Sequence, residues 1–248
     1  MGRSIVCTLV VAALTACVDT TPDHTLVHDD AVYSRGPNHF VWCGFGIDTK
    51  PKHHIEIDEI TRAMQRAKLE GTTLHLYAHA PGDTIAMATL ERVFAAAAEI
   101  GVQMTTYDEL SAGQVGGGVA LSFDDSYLTS WTAIRPMLAK YHVHVTFFVT
   151  FFLGLTDVQR AQLRQLADDG NDIEYHSTGH LDAAKFSIEH DIATYLATDI
   201  VPALDAMRAE GYATRTFAYP YGSRTLATDE ALRPYFDHLR AVDFTCPY

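Results

Sequence analysis

From about residue 57 onward, segments with helical spacing alternate with short strand-like apolar runs, and this alternation most limits what the chain can fold into. "IDEITRAMQRAKLEG" has apolar residues at helical spacing and ends at Gly71, and "TTLHLYAHA" (72–80) alternates like a strand. "TLERVFAAAAEIG" is a strong helix former that stops at Gly101. "GGVALSF" and "HVTFFVTFF" read as buried strands. "TDVQRAQLRQLADDG" opens with a Thr156…Gln159 capping box and closes at Gly170. "NDIEYHS" follows as a strand, and "SIEHDIATYLATDIVPALDAMRAEG" as a helix bent or divided near Pro202. "TRTFAYPYG" is a further strand, "DEALRPYFDHLR" a helix and "AVDFT" a last strand. Strands that alternate with helices imply parallel βαβ units, hence an α/β fold, either a barrel or an open sheet. In both architectures reactive groups gather where strands end.

Three strands end in polar residues. "VALSF" runs into Asp124 and Asp125, "NDIEY" into "HSTGH" (His176 to His180), and "RTFA" into "YPYG" (Tyr219 to Gly222). Adjacent carboxylates after an apolar run repel each other and cost energy to bury unless a cation or solvent holds them. The other pairs, Asp29-Asp30 and Asp168-Asp169, lie in polar stretches and read as solvated. With 13 histidines in 248 residues, about 0.7 His-x-x-x-His pairs are expected by chance, so that spacing alone is weak. His24/His28 and His75/His79 share it. His176 and His180 differ, because Gly179 and the strand end suggest a turn that brings the rings together. Two imidazoles and one carboxylate give three ligands and an open position, the pattern of catalytic zinc. One aspartate then ligates the metal while the other serves as a base.

"LSFDD", "HSTGH" and "FAYPYG", in this order, resemble the first three motifs of the NodB-like polysaccharide deacetylases, carbohydrate esterase family 4. The resemblance runs from roughly Leu74 to Leu239 and implies a distorted (β/α) barrel. It implies a metal-dependent hydrolase that removes acetyl groups from the N-acetylated, or O-acetylated, sugars of a cell-envelope or extracellular polysaccharide. Asp125, His176 and His180 would bind a divalent metal, Zn2+ by family habit, and Asp124 would be the general base. The backbone N–H of Tyr221 would help hold the oxyanion, Pro220 and Tyr221 would shape the acetyl pocket, and Ser177 would brace the histidine loop.

The chain departs from the family pattern in three places. Ser126 stands where many members have Gly, and Ala218 where many have an Arg that pairs with the base; Arg215 is on the wrong side of the strand to replace it. No aromatic-wall motif or L-x-x-H motif follows Gly222, so the family's acid histidine has no counterpart there. His238, in "YFDHLR", reads as an exposed helix residue, and whether the chain is C-terminally incomplete stays open. These gaps support an alternative, a non-catalytic glycan-binding protein on the same fold.

The formal charge of −13 argues against nucleic acid as a partner and suits a neutral acetylated glycan or its cationic product. "MGRSIVCTLVVAALTAC" has a basic Arg3 and an apolar run too short to span a bilayer, as a secretory signal does, and "LTAC" resembles a bacterial lipobox. That resemblance implies a signal peptide over 1–16, lipidation at Cys17 and a membrane-anchored envelope protein, with a tether over 17–38 and one domain over 39–248. Cys43 and Cys246 would remain, either paired or free. His142 and His144 resemble the H-x-H of amidohydrolase barrels, but they begin a strand and fall on the opposite rim. His79 reads as a packing or loop residue that could border the site. Phe147, Phe148, Phe151 and Phe152 read as core, and Trp42 and Trp131 are candidates for stacking on sugar.

Overall fold

The computed structural model describes residues 26–49, 55–113 and 117–246. Among these described residues nine strands run in chain order: β1 (Tyr33–Ser34), β2 (Val41–Gly46), β3 (Thr73–Ala78), β4 (Gln103–Thr105), β5 (Gly118–Asp125), β6 (Thr146–Val149), β7 (Asp172–Tyr175), β8 (Thr216–Ala218) and β9 (His238–Val242). Seven of them close a parallel barrel in the order β3-β2-β9-β8-β7-β6-β5, sealed by the pairing of β3 with β5. β4 pairs with the start of β5, and β1 lies antiparallel on the start of β3. The α/β expectation therefore resolves as the barrel.

The helices are α1 (Ile57–Glu70), α2 (Met87–Ile100), α3 (Tyr107–Ser111), α4 (Leu128–Ala133), α5 (Arg135–Tyr141), α6 (Asp157–Asp168), α7 (Ala183–His190), α8 (Ile192–Tyr195), α9 (Val201–Ala209) and α10 (Leu226–Leu232). The capping box at Thr156 and the left-handed caps at Gly71 and Gly101 form as their residue types require. The long segment after "HSTGH" is divided: a π-helical turn, Leu196–Ile200, joins α8 to α9, and Pro202 begins α9. The main core lies between barrel and helices, built from residues such as Leu76, Phe94, Phe123, Phe147 and Leu204.

The inside of the barrel is more polar. Trp42, Tyr107, Ala120, Phe148 and Ala218 form a small apolar cluster there, and Tyr107 comes from α3. Along β7 the strand alternation that brings His176 to the rim places Glu174 and Asp172 on the same face below it.

Several expectations are corrected. β2 went unread because its glycines weaken a strand pattern, yet the sheet needs them. A Cβ on Gly46 would stand 3.0 Å from the Tyr77 hydroxyl, and one on Gly44 3.2 Å from the same ring. The helix expected over "DEALRPYFDHLR" stops at Leu232, just before Arg233-Pro234, and His238 to Arg240 belong to β9. His238 is buried rather than helical and exposed, stacked on Trp42 at 3.9 Å with its Nδ1 on the His39 carbonyl. Trp42 and Trp131 are both buried and cannot stack on a sugar, whereas Phe151 leaves the expected core and is exposed. His142 and His144 lie on the far rim, as expected, but they precede β6 rather than begin it, and His142 is the left-handed cap of α5.

Part of the expected tether is docked on the domain. Leu26 and Val32 are buried, the Leu26 amide donates to Glu59 at 2.6 Å, and Arg66 binds the Val27 carbonyl and Asp30. Cys43 and Cys246 form a disulfide. The signal segment, Cys17 and the first part of the tether lie outside the described residues.

Candidate metal and hydrolytic site

All the strand-end groups singled out in the sequence meet on the C-terminal rim of the barrel. Asp125 ends β5, His176 and His180 follow β7, and Pro220 and Tyr221 follow β8. One ligand atom each from Asp125, His176 and His180 lies within 4.8 Å of the others. Asp125 Oδ1 stands 3.4 Å from His176 Nε2 and 3.0 Å from His180 Nε2.

The protonation pattern makes this a place for a cation. His176 Nδ1 carries the hydrogen it donates to the Ala218 carbonyl at 2.7 Å, so in the neutral ring Nε2 presents a lone pair. That lone pair faces a carboxylate oxygen which is buried and accepts no hydrogen bond among the described residues. Acceptors turned on one another need a positive charge between them, and two imidazoles with one carboxylate suit zinc. The residues fit the group. Burial raises the Asp125 carboxyl, but with hydrogen on both Nε2 atoms the two imidazoles would hold it well below the usual range, the part a cation would otherwise play.

The backbone around the site is unusual. Asp125, Phe151, Ser177, His180 and Tyr221 all take positive φ; Asp125 closes β5 and the other four lie in the loops that follow β6, β7 and β8. Such conformations cost non-glycine residues energy and persist where neighbours over-determine them. The Ser126 hydroxyl donates to the Thr150 carbonyl and Thr150 N–H to that of Asp125, so serine serves at this turn. Ser177 Oγ accepts the His180 amide at 2.8 Å, the bracing expected of it. The exposed ring of Tyr221 meets the His180 ring edge-on at 4.6 Å, and Pro220 is buried beside it.

Asp124 does not face solvent. It is 2% exposed, and its Oδ2 accepts from Arg240, itself 1% exposed, across the barrel from β9. Arg240 sits between the rings of Tyr77 and Phe148, 4.9 and 5.2 Å from their centroids. The other oxygen, Asp124 Oδ1, is buried without a hydrogen-bond partner among the described residues. Arg240 was missed in the sequence because it was read as helix; the signal that could have found it was Pro234, which ends α10.

His79 was underrated. It follows β3, and its Nδ1 donates to Asp48 Oδ2 at 2.5 Å. The Thr84 hydroxyl and the His79 amide hold the other Asp48 oxygen, and Trp131 Nε1 donates to the His79 carbonyl at 2.8 Å. Burial lowers the pKa of this imidazole, but Asp48, Asp124 and Asp125 outweigh it, so the net shift is upward. The signal was an acid directly after an apolar run, in "FGIDT".

Residues 113–235, just under half of the chain, match the family model for polysaccharide deacetylases. No curated protein matches the chain at a significant level. Among solved structures, a de-N-acetylase from Aggregatibacter actinomycetemcomitans is 13% identical, with a TM-score of 0.53 over 82% of this chain and 92% of that one. IcaB from Ammonifex degensii is 19% identical, with a TM-score of 0.48 over 83% of this chain and 82% of that one. A chitin deacetylase from Colletotrichum lindemuthianum is 22% identical, with a TM-score of 0.39. That alignment covers 49% of this chain and only about half, 53%, of the fungal one. The full-length likeness to the Aggregatibacter protein is one of fold: the barrel is that of the deacetylases. Within the segment matching the polysaccharide deacetylase model lie Asp124, Asp125, His176, His180 and Tyr221; Asp48, His79 and Arg240 lie outside it.

Proposed function

We propose that this chain is a metal-dependent deacetylase that hydrolyses N-acetyl, or O-acetyl, groups of a cell-envelope or extracellular polysaccharide. The observation that carries the reading is the convergence of Asp125, His176 and His180 beside Asp124, whose one oxygen is held by Arg240 and whose other has no partner among the described residues. A divalent cation, zinc in the family it resembles, would supply Lewis acidity that polarises the acetyl carbonyl and acidifies water.

Asp124 takes a proton from the attacking water on Oδ1, while Arg240 fixes the carboxylate in place. The backbone N–H of Tyr221 offsets the charge that develops on the carbonyl oxygen, and a bound cation would add to that effect. His79, oriented by Asp48 and with its pKa raised, donates the proton that lets the amine leave. Acetate and a free amino group result. Arg240 and His79 occupy the two roles whose absence had favoured a non-catalytic glycan-binding protein, namely the partner of the base and the acid.

The test is acetate release from N-acetylglucosamine oligomers and from acetylated xylan, with and without a chelator. Release that a chelator abolishes and zinc restores supports the proposal; bound metal with no acetate from any substrate favours the glycan-binding alternative. The Cys43–Cys246 disulfide supports placing the domain in an oxidising compartment outside the cytoplasm. Anchoring through Cys17 is part of the same proposal, and mass spectrometry of the membrane fraction would reveal the acyl groups.

A further inference from the structure

Asp199 has no role in the chemistry above, yet it is fully buried beneath the loop that carries His176 and His180. It lies in the π-helical turn Leu196–Ile200, where the Val201 amide reaches back to the Leu196 carbonyl. Turns of this kind are rare and recur at functional sites.

Four consecutive amides of the histidine loop are tied down, three of them to this one residue. Thr178 N–H donates to the Asp199 main-chain carbonyl at 2.7 Å, Gly179 N–H to Oδ1 at 2.5 Å, and Leu181 N–H to Oδ2 at 3.2 Å. The fourth, His180 N–H, goes to Ser177 Oγ, and the Ser177 hydroxyl in turn lies against the Asp199 carboxylate. A Cβ on Gly179 would stand 3.2 Å from Asp199 Oδ1, closer than most side chains tolerate. The turn is itself anchored, since the Tyr175 hydroxyl donates to the Ile200 carbonyl at 2.7 Å.

We propose that Asp199 is a positioning residue for the metal centre: its carboxylate and carbonyl set the path of residues 178–181 and so hold the His180 ring toward Asp125 and His176. The inference rests on the metal-centre reading above. An ordinary α-turn at 196–200 would rotate the carboxylate away from the loop, and the positive φ of Ser177 and His180 would lose what enforces it. Groups that orient a ligand from behind usually matter to metal affinity by 10- to 100-fold.

The experiment is zinc titration of the full chain against a chromophoric chelator, together with the absorption spectrum of the cobalt-loaded protein. Asp199→Asn keeps the volume but places an amide N–H against a backbone N–H; Asp199→Ala removes both acceptors. The expected result for each is zinc affinity weaker by about 10-fold or more and an altered cobalt spectrum, with the melting temperature of the metal-free protein little changed. If Asp199→Ala does not fold, the isosteric Asp199→Asn decides the question. A variant that binds zinc within threefold of the parent, with an unchanged cobalt spectrum, overturns the inference and leaves Asp199 a structural residue only. A parent chain that binds no zinc overturns the metal-centre reading as well.

Discussion

Arg240 on β9 reaches across the inside of the barrel to Asp124 on β5, and in the β8–β9 pairing it stands directly beside Ala218. Both partners are almost fully buried, so each is the other's main compensation for leaving water. Arg240→Ala should therefore cost roughly 3–5 kcal/mol in urea unfolding, because a lone carboxylate remains inside. Adding Ala218→Arg, which faces the same interior, should recover part of that loss and part of the activity. No recovery would mean that the two positions are not equivalent routes to Asp124.

Asp124→Asn should abolish acetate release by at least 100-fold while zinc still binds, since the ligands Asp125, His176 and His180 remain. Unchanged turnover would remove Asp124 from the role of base.

The His79–Asp48 pair predicts the alkaline side of the pH profile. An acid must be protonated to act, so activity falls as pH rises through the raised pKa of His79. Asp48 is a main cause of the rise, so Asp48→Asn should move the alkaline limb of kcat to lower pH. His79→Ala should remove the limb and lower kcat by about 100-fold or more. A limb that stays in place in Asp48→Asn would point to another acid.

Stability should respond to pH in opposite senses at two interior groups. Glu174 is fully buried, its Oε2 accepts from the Thr216 amide, and burial with the nearby Asp172 pushes its carboxyl well above the usual range. A raised acid favours folding below its unfolded pKa, and that contribution is lost as pH rises toward the folded value. Glu174→Gln should thus stabilise the protein at pH 8 and give no such gain at pH 4, as measured by melting temperature. His75 is pushed down to about 3 by burial, Arg240 and His238, so its contribution is full above about pH 6.5 and erodes below it, by about 1.4 kcal/mol per unit. Equal melting temperatures for parent and Glu174→Gln at pH 8 would show that the Glu174 carboxyl is not raised in the folded protein.

Cys43 and Cys246 close a span of 203 residues. Exchanging both for serine, or reducing the pair, should lower stability by about 2–5 kcal/mol in urea unfolding. A loss below about 0.5 kcal/mol would mean that the barrel is held without it.

How much of this was legible beforehand follows from where each signal sits in the chain. The ligands Asp125, His176 and His180 stood out because polar residues ending apolar runs conflict with burial unless they have a task. The alternation of strand and helix patterns led as far as parallel βαβ units, in a barrel or an open sheet, and the barrel itself came only with the family resemblance. Arg240 and His79 were hidden for different reasons. Arg240 was assigned to a helix across Pro234, whose ring cannot continue one, so its strand neighbour Ala218 could not be seen. His79 needs Asp48, and Asp48 follows a glycine-rich strand that packs against Tyr77 rather than showing its own periodicity. Contacts between distant segments carry no local pattern, so such pairs emerge only when the barrel closes.

The disulfide gives that closure a further meaning. Cys43 lies on the first strand of the barrel and Cys246 just beyond the last, so the chain between them is a covalent ring. A protease that cuts once in a rim loop beyond His79 would nick this ring without releasing a piece. Asp48 with His79 on one side of the cut, and Arg240 on the other, would stay tied to a single molecule until the bond is reduced.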